Sequence, residues 1–178
     1  MPAFIEPPAR LPWFVRLGLW YARRAAKADF LIGRLLAWYP RAAVSSGLLE
    51  ALIAHPDQGL DARLLQLVRL QVSYAAACPF CIAMNGQDHE RAGITSAEVA
   101  ALRGERALEE VATFAPRERA ALAYARLITA TPLKFPPAAI AELKEHFRER
   151  EIVILATTAA QVNYWTRLIQ ALGVPPGA

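Results

Sequence analysis

Asp61-Ala62-Arg63-Leu64-Leu65-Gln66-Leu67-Val68-Arg69-Leu70-Gln71-Val72-Ser73, followed by Cys78-Pro79-Phe80-Cys81, is the stretch from which the rest of this chain is read. Leu64, Leu65, Val68 and Val72 recur at helical spacing, so one apolar stripe runs along a predicted helix from Asp61, its N-cap, to about Ala76. Cys78-Pro79 opens the next helix, because proline suits the first helical position, where no N–H is needed. That helix is predicted to run to Ala92, with Gly93 as the residue just past its end. Cys78 therefore falls at or beside an N-cap, facing unpaired N–H groups and the positive end of the helix dipole.

These are the only two cysteines in the chain. A single CxxC is a poor structural zinc site, because zinc wants four ligands. His55, His89 and His146 do not converge with it, and no carboxylate cluster does, so no metal is expected. The same spacing makes a good redox pair. A thiolate at a helix N-terminus has its pKa lowered from about 8.5 toward about 3.5–7.5. Attack on a peroxide gives a sulfenic acid, and the second cysteine condenses with it to a disulfide. An external dithiol resets the pair by exchange. Burial of two small apolar residues by accident of packing is the plainer alternative.

Outward from this stretch, proline and glycine punctuate one helical pattern after another, and few windows alternate with the period of a strand. Helices are expected over about 12–26, 28–38 and 41–54, followed by a turn at His55-Pro56-Asp57-Gln58-Gly59. Thr95 and Glu98 form a capping box for a short helix to Leu102. Further helices run from Pro116–Arg117 to about Thr131, from Pro137 to about Phe147, and from Glu149 to about Leu172, where Gly173 and Pro175 stop the last. The fold class is all-α. The division expected is an N-terminal helical extension, 1–55, and a helical core, 56–178. A faint echo places Gln66 twelve residues before Cys78 and Glu151 twelve before Asn163, as a duplicated helical unit or a chance likeness would.

Hydrophobic residues make up 55% of the 178-residue chain, enough for a large core plus buried subunit interface. No apolar run reaches the ~18 residues of a spanning helix. The start, Met1 to Pro8, lacks the basic and apolar regions of a secretory signal, so a cytoplasmic protein with a working dithiol is expected. Residues 1–41 carry seven Arg and Lys against Glu6 and Asp29, a net +5 within a chain total of +4. Those cations alternate with Trp13, Phe14, Trp20, Tyr21, Phe30, Trp38 and Tyr39. The pattern is read as an amphipathic arm packed on its own chain or on a second copy. No phosphate loop or nucleic-acid motif accompanies it, so neither nucleic acid nor a membrane is the expected partner.

The run Leu67 to Ser73, then Cys78-Pro79-Phe80-Cys81, then Ala92-Gly93, resembles the core of the AhpD-like and carboxymuconolactone decarboxylase superfamily. Phe114 to Ala125 resembles it too, as do Arg150-Glu151-Ile152-Val153, Asn163-Tyr164-Trp165 and Ala171 to Pro175. The likeness spans about Asp61 to Pro175. It implies an AhpD-like helical fold, a thiol–disulfide oxidoreductase of the alkylhydroperoxidase kind, and a homo-oligomer built on threes. It also implies no bound cofactor, with electrons from a dithiol protein or a lipoyl group.

In that family's redox branch a Glu stands twelve residues before the first cysteine and a His four after the second. Here those positions are Gln66 and Asn85. Amides hydrogen-bond but do not titrate near neutral pH. The acid–base contribution of such a relay, ~10²–10⁴-fold, is then absent or supplied by another group. His89 is one candidate, although on a continuous helix it lies roughly 12 Å along the axis from Cys81 and about 80° around. Tyr164, Trp165 and Asn163 either line the pocket beside the cysteines or belong to the core. Two other readings stay open: a non-catalytic helical oligomer, and a lactone decarboxylase, which needs no CxxC.

Overall fold

The structure, a computed structural model, describes residues 3–26, 30–53, 60–87 and 89–177. The turn expected at His55–Gly59, and Lys27 and Asp29 of the basic arm, lie outside them. Among the described residues the regular elements are helices: α1 (Trp13–Ala26), α2 (Leu31–Leu35), α3 (Pro40–Ile53), α4 (Ala62–Ala75), α5 (Pro79–Gly86), α6 (Ser96–Leu102), α7 (Pro116–Thr129), α8 (Pro137–His146) and α9 (Glu149–Ala171). Short 3₁₀ turns occupy Leu36–Trp38 and Leu108–Glu110. The all-α expectation holds.

Helix α4 is the hub, packing on α5, α7 and α9. Asp61 caps it, its Oδ1 accepting from Leu64 N–H at 2.6 Å. The sequence pattern suggested one apolar stripe, but α4 buries two. Leu64, Leu65, Val68 and Val72 join α7, α8 and α9 around Ala121, Leu143 and Leu155. Leu67 and Leu70, three residues apart, join α6 and α7 around Leu102, Phe114 and Leu122. Each such leucine stabilises the fold by ~1.5–3 kcal/mol when fully buried. Gln71 is buried between the stripes, donating to Leu102 O at 3.3 Å and accepting from Arg126 Nε at 2.9 Å.

The capping box at Thr95–Glu98 forms as expected, with Thr95 N–H donating to Glu98 Oε2 at 2.7 Å. Glu98 also does a second job. Its buried carboxylate takes Arg63 Nη2 at 2.6 Å, while Arg63 Nε donates to Glu118 at 2.8 Å, so one guanidinium ties α4 to α6 and α7. Burial works to raise the Glu98 pKa, but bonds from Thr95 N–H, Arg63 and Thr113 outweigh it and hold the carboxyl below its ordinary range.

Two helix boundaries differ from expectation. The segment read as one helix over 28–38 is α2 followed by a 3₁₀ turn. Tyr39, which precedes Pro40, is extended at φ −130, ψ 84, as a residue before proline must be, and this stops the helix. Helix α5 ends at Gly86 rather than Ala92. Gly86 weakens the last turn, and His89 folds back on it, its N–H donating to Gly86 O at 3.4 Å. Gly93, at φ +68, closes the turn that follows.

Candidate functional site

Helix α4 ends in a Schellman motif. Cys78 N–H donates to Ser73 O at 3.2 Å and Ala77 N–H to Tyr74 O at 2.9 Å. The residue at its left-handed position, usually glycine, is Ala77 at φ +48. The next residue, Cys78, is already the N-cap of α5, its Sγ accepting from Cys81 N–H at 3.3 Å. One cysteine thus finishes one helix and starts another. Cys78 and Cys81 are joined as a disulfide, with Cα atoms 5.3 Å apart.

Both sulfurs are shut away, Cys78 at 0% and Cys81 at 1% exposure. They sit in an apolar cluster with Ile32, Leu35, Leu36, Phe80, Ile169 and Val174, against which Trp165 packs. The cover is therefore α2 and its 3₁₀ turn on one side and the end of α9 on the other. An N-terminal strap clamps the edge: Phe4 N–H donates to Leu172 O at 3.0 Å, and Trp38 Nε1 donates to Glu6 O at 2.8 Å. Gly173, at φ +65, has the Phe4 ring where a Cβ would stand. On reduction, the helix end favours a thiolate while these apolar walls disfavour it.

The two amide positions come together on the α5 side of α4. Gln66 Nε2 donates to the backbone oxygen of Asn85, and Asn85 Nδ2 donates to Ser73 Oγ at 2.9 Å. Ser73 Oγ in turn donates to Arg69 O at 2.8 Å. The amides thus lace α4 to α5 and hold the CxxC helix in place. His89 is not brought to this group. Its Nδ1 lies 2.7 Å from Gly86 O, positioned to donate, and its ring lines a separate open groove of about 500 Å³ with Tyr74 and Arg103. Of Asn163, Tyr164 and Trp165 on α9 only Trp165 reaches the cysteine cluster. Tyr164 exchanges a hydrogen bond with Ser46 at 2.7 Å, and Asn163 donates to Thr129 at 3.0 Å. Among the described residues no group of histidine, cysteine and carboxylate side chains is placed to hold a metal ion.

Two groups went unread in the sequence. Ser73 lies two turns beyond Gln66, a spacing that places it on the same face and could have revealed it. Glu50 of α3 accepts from Gln161 Nε2 at 2.6 Å and from Trp165 Nε1 at 3.0 Å, tying the first quarter of the chain to α9. No local pattern in α3 marks that long-range pairing.

Residues 42–127 match the carboxymuconolactone decarboxylase family. The uncharacterized protein YdfG of Bacillus subtilis (strain 168) is 32% identical over 109 residues, 61% of this chain and 72% of that one. This chain belongs to the carboxymuconolactone decarboxylase family. Its fold superposes on the debrominase Bmp8 in complex with 2,3,4-tribromopyrrole at a TM-score of 0.83, with 19% identity, covering 100% of this chain and 94% of the other. It also superposes on the alkylhydroperoxidase AhpD core of an uncharacterized peroxidase-related protein from Ralstonia eutropha JMP134, at 0.79 with 21% identity, covering 99% and 93%. At these identities the likeness is one of fold: an AhpD-like helical domain.

Proposed function

We propose that this chain is a thiol–disulfide oxidoreductase of the alkylhydroperoxidase kind, cycling Cys78 and Cys81 between dithiol and disulfide. The dithiol gives two electrons and two protons to a hydroperoxide, which leaves as an alcohol and water while the S–S bond forms. An external dithiol or lipoyl group then reduces the disulfide by exchange, and no bound cofactor is involved. The observation that carries this reading is the shared helix junction, which sets the two sulfurs within bonding distance at an N-terminus. The working form is a homo-oligomer, a trimer or a multiple of one, in the cytoplasm.

One observation favours a second reading, a weakly active helical oligomer. Gln66 and Asn85 bond to backbone and to Ser73, and neither is a titratable group. Mass spectrometry of the reduced protein after mild peroxide separates the two readings. A loss of two hydrogens in the parent, absent in Cys78→Ser and Cys81→Ser, supports the oxidoreductase. Thiols that stay inert support the second reading.

A further inference from the structure

Both sulfurs are buried, so an outside thiol reaches them only when something packed over them moves. The cover has two walls from distant parts of the chain: α2 with its 3₁₀ turn, and the end of α9. The N-terminal strap is bonded to both. Phe4 N–H donates to the oxygen of Leu172, the residue that caps the end of α9. Two residues later Glu6 O accepts from Nε1 of Trp38, the last residue of the 3₁₀ turn. Leu172 O is one of the carbonyls that a helix end leaves without an internal donor, so the strap satisfies a group that water would otherwise take. Just ahead of these bonds, Ala3 packs on the cysteine cluster itself.

The strap is lightly held for a segment in this position. Phe4 is 75% and Ile5 45% exposed, and residues 3–8 form no helix. Its grip consists of the two hydrogen bonds, the Phe4 ring resting on Gly173, and Ala3. A segment tied by so few contacts opens at a small part of the global stability. Helix α2 is little more than one turn and depends on its neighbours to persist. Lifting the strap removes the tie between its 3₁₀ turn and α9. We propose that residues 3–6 are a latch, which bridges the two walls and sets how often an outside thiol reaches Cys78 and Cys81.

The latch goes beyond the oxidoreductase reading, on which it rests for its purpose: it gives the reset step a way in. Exchange requires a thiolate to touch a sulfur, and the closed walls forbid that contact. With the strap lifted, the thiolate attacks one sulfur, a mixed disulfide forms and the other cysteine leaves as a thiolate. The second thiol of the reductant then closes its own disulfide. Cys78 and Cys81 finish with two more electrons and two more protons, and the dithiol has lost as many.

The test uses the full chain, oxidised, with dithiothreitol as the probe under native conditions. Reduction is stopped by alkylation at intervals and counted by mass. Phe4→Pro removes the N–H and the ring of the strap. Trp38→Phe removes the other donor and keeps an aromatic body. Both sites are exposed, so the fold should survive each change. Each should quicken reduction by at least about twofold, and the two together by at least about fivefold, as one and two lost hydrogen bonds allow. Phe4→Tyr, which keeps the N–H and the ring, should reduce at the parent's rate. In the parent the rate should climb only shallowly with low urea, since lifting a strap exposes little surface. Variants no faster than the parent, a Phe4→Tyr variant as fast as Phe4→Pro, or a urea slope equal to that of global unfolding would overturn the latch. A protein inert toward peroxides still answers, because its disulfide exchanges with dithiothreitol all the same. A peroxide-reactive protein whose variants match the parent would sink the latch alone.

Discussion

Ala77 holds a left-handed backbone at φ +48, between the end of α4 and the start of α5. An L-residue there costs ~1–2 kcal/mol, against ~0.4–1 kcal/mol for the extra unfolded-state freedom that glycine brings. Ala77→Gly should therefore stabilise the protein by roughly 0.5–1 kcal/mol, seen as a higher urea midpoint at an unchanged slope. An unchanged or lower midpoint would mean that the Cβ of Ala77 gains packing that offsets the strain. Gln66 and Asn85 invite the opposite kind of change. Gln66→Glu with Asn85→His returns two titratable groups to α4 and α5, beside the dithiol helix. Peroxide oxidation of Cys78 and Cys81 should speed up by at least about tenfold, a floor set below the ~10²–10⁴-fold that a well-placed proton relay supplies. A folded double variant no faster than the parent would show that these positions are purely structural. The cysteines and the N-cap were legible because each depends on fixed local spacing, whereas the two amides stood out only through the family resemblance. Ala77 was not, since alanine carries no signal for positive φ; nor was Glu50, whose partners lie more than a hundred residues away.

Helix α2 is short, lacks a side-chain cap and contributes Ile32 and Leu35 to the cover over the sulfurs. Five residues make little more than one turn, and such a helix depends on tertiary packing to persist. Segments of this kind open locally at a fraction of the global stability. Leu35→Ala should remove ~2–5 kcal/mol of packing from the cover itself. Alkylation of the reduced cysteines should then quicken by an order of magnitude or more. Leu143→Ala, cut into the separate cluster of α4, α7, α8 and α9, is the comparison. If it speeds alkylation equally at equal loss of global stability, the sulfurs are reached by whole-chain unfolding and α2 is no cover. The longer elements were read within a residue or two from periodicity and caps, Thr95–Glu98 being the clearest. The stop before Pro40 was read, but the change from α2 to a 3₁₀ turn at Leu36 was not, because the apolar run continues through it without a local signal. The early end of α5 was missed because Gly93 made a stronger stop signal than Gly86.

At the scale of the molecule, the first quarter leaves much apolar surface in water. Trp13, Leu17, Trp20 and Tyr21 on α1 and Val44, Leu48 and Leu52 on α3 are exposed, the last three at four-residue spacing along one face. Lone soluble domains rarely tolerate so much contiguous apolar area. Sedimentation of the full chain should give a closed oligomer, and Leu48→Glu, placing a charge on the exposed α3 face, should weaken it; a monodisperse parent of about the chain mass, 19.6 kDa, would defeat this expectation. Overall class was plain in the sequence because few windows alternate with the period of a strand and the pattern between prolines is helical. The arm's contacts were not, since a wet arginine face looks the same whether its apolar side meets its own core or another copy. The cover over Cys78 and Cys81 has one more consequence, which concerns time. An opening that costs ~3 kcal/mol exposes the sulfurs for under about one hundredth of each interval, and exchange with any outside thiol slows in proportion. A disulfide kept behind such a door does not track the momentary redox balance of its surroundings. It averages that balance over many openings, so the pair behaves as a slow recorder whose response time is written in the packing of Ile32, Leu35 and Leu36.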